Sequence, residues 1–137
     1  MSKEAAALPP RRIVPAHPAD YQAVHNLRRV DDDRILAELD GLLAWTQDGT
    51  WPVARGVGEV LALHFPVIRP AVLQILRGAD ARWKHAFLGL VVDPVLRAQA
   101  DADVLRELRR LAQHPTPAEQ AEHVAERALA LLDDLGL

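Results

Sequence analysis

A short phrase occurs twice in this chain, as Asp48-Gly49-Thr50-Trp51 and as Asp80-Ala81-Arg82-Trp83, with both the aspartates and the tryptophans 32 residues apart. A period of about 20–50 residues is the mark of stacked helical hairpins, because one hairpin can bury its apolar face only against the next. The repeat therefore constrains the architecture before any single residue suggests a chemistry. It predicts equivalent helix starts at Asp48–Trp51 and Asp80–Trp83, with Trp51 and Trp83 as wedges between successive units.

The apolar spacing supports that reading. Ala23, Val24, Leu27 and Val30 recur with helical period behind a cap at Asp20, and Asp31-Asp32-Asp33 place negative charge at the start of a second helix carrying Ile35, Leu36, Leu39, Leu42 and Leu43. A third helix is expected near Trp51, with Thr50 as cap and Pro52 in the first turn. The fourth spans 66–77, kinked or started by Pro70 and stopped by a left-handed Gly78. The fifth runs from Asp80 to a stop at Asp93-Pro94, and the sixth begins at Asp101 or Asp103. Thr116-Pro117-Ala118-Glu119 has the pattern of a capping box and opens the seventh; removing Glu119 is expected to cost less than removing Thr116. Glycines at 41, 56, 58 and 89 fall inside these segments and suggest close helix contacts.

No strand pattern of comparable length competes, so the expected fold is all-α, an α-α superhelix of about seven helices in stacked antiparallel hairpins. Residues 1–18, rich in proline, are expected to form an extended or partly disordered lead-in, and residues 19–137 a single helical-repeat domain. The lead-in lacks the apolar run of a secretory signal, and no later run reaches the roughly 18 residues that span a bilayer. A cytoplasmic monomer is the default expectation.

Chemistry is harder to find. The chain has no cysteine, which excludes disulfides, thiol catalysis and Cys-ligated zinc, and its one serine is Ser2. The six histidines, at 17, 25, 64, 85, 114 and 123, show no metal-ligand spacing, and the acids near His123 read as a salt-bridged surface. No glycine-rich phosphate loop is present. The expectation is a protein without catalytic residues, metal or cofactor.

The tryptophan phrases do offer a surface. Arg55 follows Trp51 by four residues, and Arg82, Lys84 and His85 flank Trp83, so a positive cluster edged by aromatic rings is expected on one side of the stack. Arginine and tryptophan dominate interface hot spots, so Trp51, Arg55, Arg82, Trp83, Lys84 and His85 are the candidate partner-binding residues, with the charged ones exposed. An acidic protein or a phosphate suits such a patch. Nucleic acid is the second expectation, read by Arg97, Arg106, Arg109 and Arg110, although a net charge of −3 opposes it.

The ordered set of motifs resembles a family of small bacterial proteins known as domain of unknown function 5071. The residues that carry the resemblance are Val14-Pro15, His17, Asp20, the run Leu42 to Asp48, Trp51-Pro52-Val53-Ala54, Trp83-Lys84-His85 and Pro115-Thr116-Pro117; His85 stands where an aromatic residue is expected. The resemblance implies a HEAT-like α-α superhelix and brings no activity. The function expected from the whole is a non-enzymatic protein-binding module, in one version an inhibitor (immunity protein) of a bacterial toxin.

Overall fold

In the computed structural model, residues 11–137 are described, and among them every regular element is helical. Residues 11–18 form an extended segment, while residues 1–10, the rest of the expected lead-in, lie outside the described part. Asp20 fixes this segment to the first helix, α1 (Tyr21–Leu27): its carboxylate caps the Ala23 amide, accepts the Ala16 amide at 2.9 Å and takes both ends of the Arg12 guanidinium at 3.0 Å. These bonds, led by that from Arg12, hold the Asp20 carboxyl down at about 2. Asn26 of α1 donates to the Arg12 carbonyl at 2.9 Å, and Ile13 is fully buried beneath the segment.

The second predicted helix is broken at Glu38 into α2 (Asp32–Ala37), capped by Asp31 as expected, and α3 (Leu39–Ala44). The third begins later than predicted. Asp48 accepts both the amide and the hydroxyl of Thr50 in a side-chain turn, so Thr50 is no cap, and α4 (Ala54–Leu63) starts only after Trp51 and Pro52. Asp80, by contrast, is a true N-cap, accepting the Trp83 amide at 3.0 Å. The two phrases are therefore alike in sequence but different in structure.

At His64 the chain turns through 119° into α5 (Phe65–Arg77), which contains Pro70 in its interior instead of starting there. Gly78 ends α5 in an extended conformation (φ −75°, ψ −173°), not in the left-handed stop that was expected. The predicted break at Asp93-Pro94 is absent as well. Helix α6 (Ala81–Phe87) passes through a π-helical turn, Leu88–Val92, directly into α7 (Asp93–Ala98). Pro94 sits in the first turn of α7, where its missing amide is tolerated. The Leu90 carbonyl, four residues earlier, then has no amide from residue 94 to accept. It lies instead against Gly58 of α4, where an added Cβ would overlap its oxygen and come within 3.0 Å of its carbon.

Helix α8 (Ala102–Gln113) is capped by Asp101, which accepts the amides of Asp103 and Val104 and is clamped to α5 by Arg69 at 2.8 Å. The capping box at Thr116 is present and opens α9 (Pro117–Ala121). His123, in the left-handed region (φ 59°, ψ 30°), then breaks the seventh predicted helix and leads to α10 (Val124–Asp134). With the second and seventh segments each divided, the helices exceed the expected seven. Packing sets them in two rows: α1, α4, the α6–π–α7 helix and α10 succeed one another in one, and α2, α5 and α8 in the other. Leu, Val and Ile from both rows, with Phe65 and Phe87, fill a continuous core. No single helix among the described residues is long and apolar enough to cross a membrane.

The contact between Gly58 and Leu90 yields a stability prediction. Alanine gains about 1 kcal/mol of helix propensity over glycine, but at position 58 it must displace backbone, and overpacking costs about 1–3 kcal/mol. Gly58→Ala is therefore expected to lower the denaturant midpoint. Gly49→Ala, where a Cβ meets open space, should leave it unchanged.

Candidate functional site

The turn between α3 and α4 holds the site together from one side. Thr46 is fully buried; its hydroxyl donates to the Leu43 carbonyl at 2.6 Å and accepts the Trp83 indole N–H at 2.9 Å. Trp45 and Trp51 meet edge to face with ring centroids 5.0 Å apart. A single hydrogen bond thus ties the first turn of α6 to the loop that carries both other tryptophans.

Between this loop, the α6–π helix and the start of α10 runs a groove of about 1010 Å³. Five of the six residues singled out from the sequence line it: Trp51, Arg55, Arg82, Trp83 and His85. Arg55 and Arg82 are exposed, and the two tryptophans and His85 are partly buried. The repeated phrases converge here even though they are not structural equivalents.

Lys84, the sixth, is not part of this surface. It points the other way and is only 2% exposed, so its expected role as an exposed contact is corrected. Its ammonium donates to Glu119 Oε2 at 2.5 Å. The same carboxylate takes the Arg110 guanidinium through two bonds, at 3.1 and 3.2 Å, and accepts the Thr116 amide at 2.8 Å as the reciprocal half of the capping box. Arg110 also reaches Glu107, which pairs with Arg77 at 2.9 Å. Burial alone would push the Glu119 carboxyl up, but the bonds from Arg110, Lys84 and the Thr116 amide outweigh it and hold it at about 2. A lysine can be buried in this way because its charge is matched and its partner's remaining lone pairs are filled.

Two groove residues escaped the sequence reading. Arg127 of α10 lays its guanidinium on Gly89, with Nη2 2.6 Å from where a Cβ would stand. The interior glycine at position 89 was the available signal. His123 enters the groove because its left-handed backbone turns α10 away from α9, and its ring meets Glu126 at 2.7 Å. Histidine is among the residue types that tolerate this conformation better than most. Burial first, then the neighbouring charges of Arg127 and His123, push His85 below its ordinary value, which disfavours its charged form.

The groove carries both signs, with Arg55, Arg82 and Arg127 beside the carboxylates Asp48, Asp80, Asp93 and Glu122. Arg55, Arg82 and Arg127 take part in none of the ion pairs among the described residues. Of the lining acids, Asp93 is paired with Arg97, Asp48 is oriented by Thr50 and attracted to Arg82, Asp80 is oriented by the Trp83 amide, and Glu122 takes part in no ion pair among the described residues. The alternative arginine surface is mostly neutralised: Arg106 pairs with Asp103, Arg97 with Asp93 and Asp134, and Arg110 with Glu119, while Arg109 is exposed. Among the described residues no three His, Asp or Glu side chains converge as metal ligands would.

Residues 13–132 match the family model described as Domain of unknown function (DUF5071). No curated protein shows significant similarity to the chain.

The buried cluster reverses the expected order of two substitutions. Thr116→Ala removes one capping bond and should cost about 1 kcal/mol. Glu119→Ala strands a buried ammonium and should cost about 3–5 kcal/mol in urea denaturation. Because the folded-state carboxyl lies below its unfolded value, the stability it contributes is present above about pH 5 and is lost as the pH falls towards 2. Glu119→Gln should accordingly flatten this acid limb in a plot of melting temperature against pH.

Proposed function

The chain belongs to the DUF5071 family, whose description carries no activity; from the chemistry of the groove we propose that it is a non-enzymatic protein-binding module that receives an acidic segment of another protein. The observation that carries this reading is three arginines outside every ion pair among the described residues, edged by Trp51 and Trp83, in a groove whose carboxylates Asp48, Asp80 and Asp93 are already held in place by Thr50, by the Trp83 amide and by Arg97. Arginine presents a planar fork to carboxylates, and tryptophan supplies apolar area at low entropic cost. Two rows of helices packed in succession support a HEAT-like α-α superhelix, a scaffold that offers rigid grooves for partners.

A toxin inhibitor of the immunity-protein kind is one form of this function. A groove with arginines outside any ion pair among the described residues offers the carboxylates of an acidic patch bidentate partners, while the chain's net charge of −3 disfavours acidic surfaces elsewhere. The nucleic-acid reading has less support, because arginines paired with carboxylates have little charge left for phosphate.

The proposal is tested with Arg82→Glu combined with Arg127→Glu. Both positions are exposed and unpaired, so the variant should keep the parent melting temperature and helical circular dichroism while losing capture of the partner from the native host by at least about 100-fold, as expected for hot-spot arginines. Tryptophan emission provides a second readout, because Trp51 and Trp83 line the groove and Trp45 touches Trp51. Undiminished capture by the folded variant would place the partner surface elsewhere.

A further inference from the structure

A second cavity, of about 540 Å³, opens at the other end of the first helix row, between the extended lead-in, α1 and α2. Its charged lining is Arg11, Arg29 and Arg34, with His25, Gln22 and Asn26 as further polar groups, and no carboxylate lines it among the described residues. Three arginines from three different segments meet at this cavity; Arg34 is paired with Glu38, while the exposed Arg11 and Arg29 keep their full charge beside it.

The walls are held in place by bonds independent of any ligand. Arg34 is anchored to Glu38 and donates to the Arg11 carbonyl at 2.7 Å, which fixes its guanidinium at the rim. The Asn26 amide holds the Arg12 carbonyl at 2.9 Å and its oxygen accepts from Gln22 at 3.0 Å. The side chains of Arg11 and Arg29 take part in none of the ion pairs among the described residues. Of the nearby acids, Asp31 accepts the Arg34 amide, Asp32 meets His64 at 2.5 Å, Glu38 pairs with Arg34, and Asp33 is exposed on α2. A cation just past the end of α1 offsets that helix's carbonyl dipole and would account for Arg29, but not for Arg11 or Arg34, which lie on other segments. The half-buried Val30 supplies an apolar floor, packed over the fully buried Ile13.

We propose that this cavity binds the phosphate group of a small organic phosphate, with Arg11 and Arg29 as the charge-bearing contacts, Arg34 as the pre-oriented rim donor and the organic body lying over Val30. Bidentate arginine contacts suit a phosphate, and the volume accommodates a substituent beyond the anion. The site is separate from the groove and independent of the reading given to it.

Isothermal titration of the full chain at constant ionic strength tests this with inorganic phosphate and phenyl phosphate as probes. Both should give saturable one-to-one binding, tighter by about tenfold for phenyl phosphate, which gains the apolar floor. Tryptophan emission should not change, since no tryptophan lines the cavity. Arg11→Gln with Arg29→Gln should weaken binding at least tenfold at an unchanged melting temperature, Arg29→Lys should restore part of it, and the groove variant Arg82→Glu/Arg127→Glu should bind like the parent. Equal affinity for the two probes would overturn the organic part of the assignment. Absence of saturable heat, or loss of binding in the groove variant instead, would overturn the site.

Discussion

The Glu119 carboxylate is the point on which three parts of this structure rest. It closes the capping box that starts α9, neutralises the buried Lys84 of α6 and receives Arg110 of α8. Each task could be done separately by a different residue; combining them in one side chain fixes three helices relative to one another through groups that tolerate little displacement. A buried ion pair is often no more stabilising than an apolar replacement, but breaking it by removing one partner is severe, so its contribution here is to positional specificity. Arg110 carries the network on through Glu107 to Arg77 at the end of α5 within the second row of helices, while Lys84 ties it to the first.

From this anchor the groove follows by geometry. Trp83 and Lys84 are consecutive residues of α6 and diverge around the helix by about 100°. Lys84 is drawn to α9, while Trp83 reaches the buried Thr46 in the α3–α4 turn. The groove lies beside this doubly held helix, its far side supplied by α10, whose direction is set by the left-handed His123. Arg82, one residue before Trp83, is exposed there because its neighbours occupy both inward directions. Rigid walls with unpaired arginines are the physical basis for assigning the groove to an acidic partner, since pre-organised charges need not be reordered on binding.

Local rules made much of the fold legible in the sequence. Asp20, Asp31, Asp80 and Asp101 all cap helices, and Thr116 with Glu119 forms the expected box, because capping depends on a few consecutive residues. The failures are equally physical. At Asp48 the hydroxyl of Thr50 offered the carboxylate a closer partner than a helix amide, so the repeated phrase made a turn in one place and a cap in the other. Asp93-Pro94 did not end its helix because the π-turn fitted the proline and Gly58 made room for the Leu90 carbonyl, a contact with a helix some thirty residues earlier that local pattern does not encode. In the site, five of six residues were placed together correctly by their association with tryptophan. Lys84 was misread because residue type favours exposure, whereas its burial depends on Glu119, 35 residues away.

The claim that Lys84 and Glu119 form one buried unit is tested most directly by a double-mutant cycle in urea, using Lys84→Met, Glu119→Gln and the combined variant. Groups that share a desolvated hydrogen bond are coupled, so the double variant should be more stable than the sum of the single losses predicts, by about 1–3 kcal/mol. Strictly additive losses would mean that the two side chains act independently, and the central anchor described here would not exist.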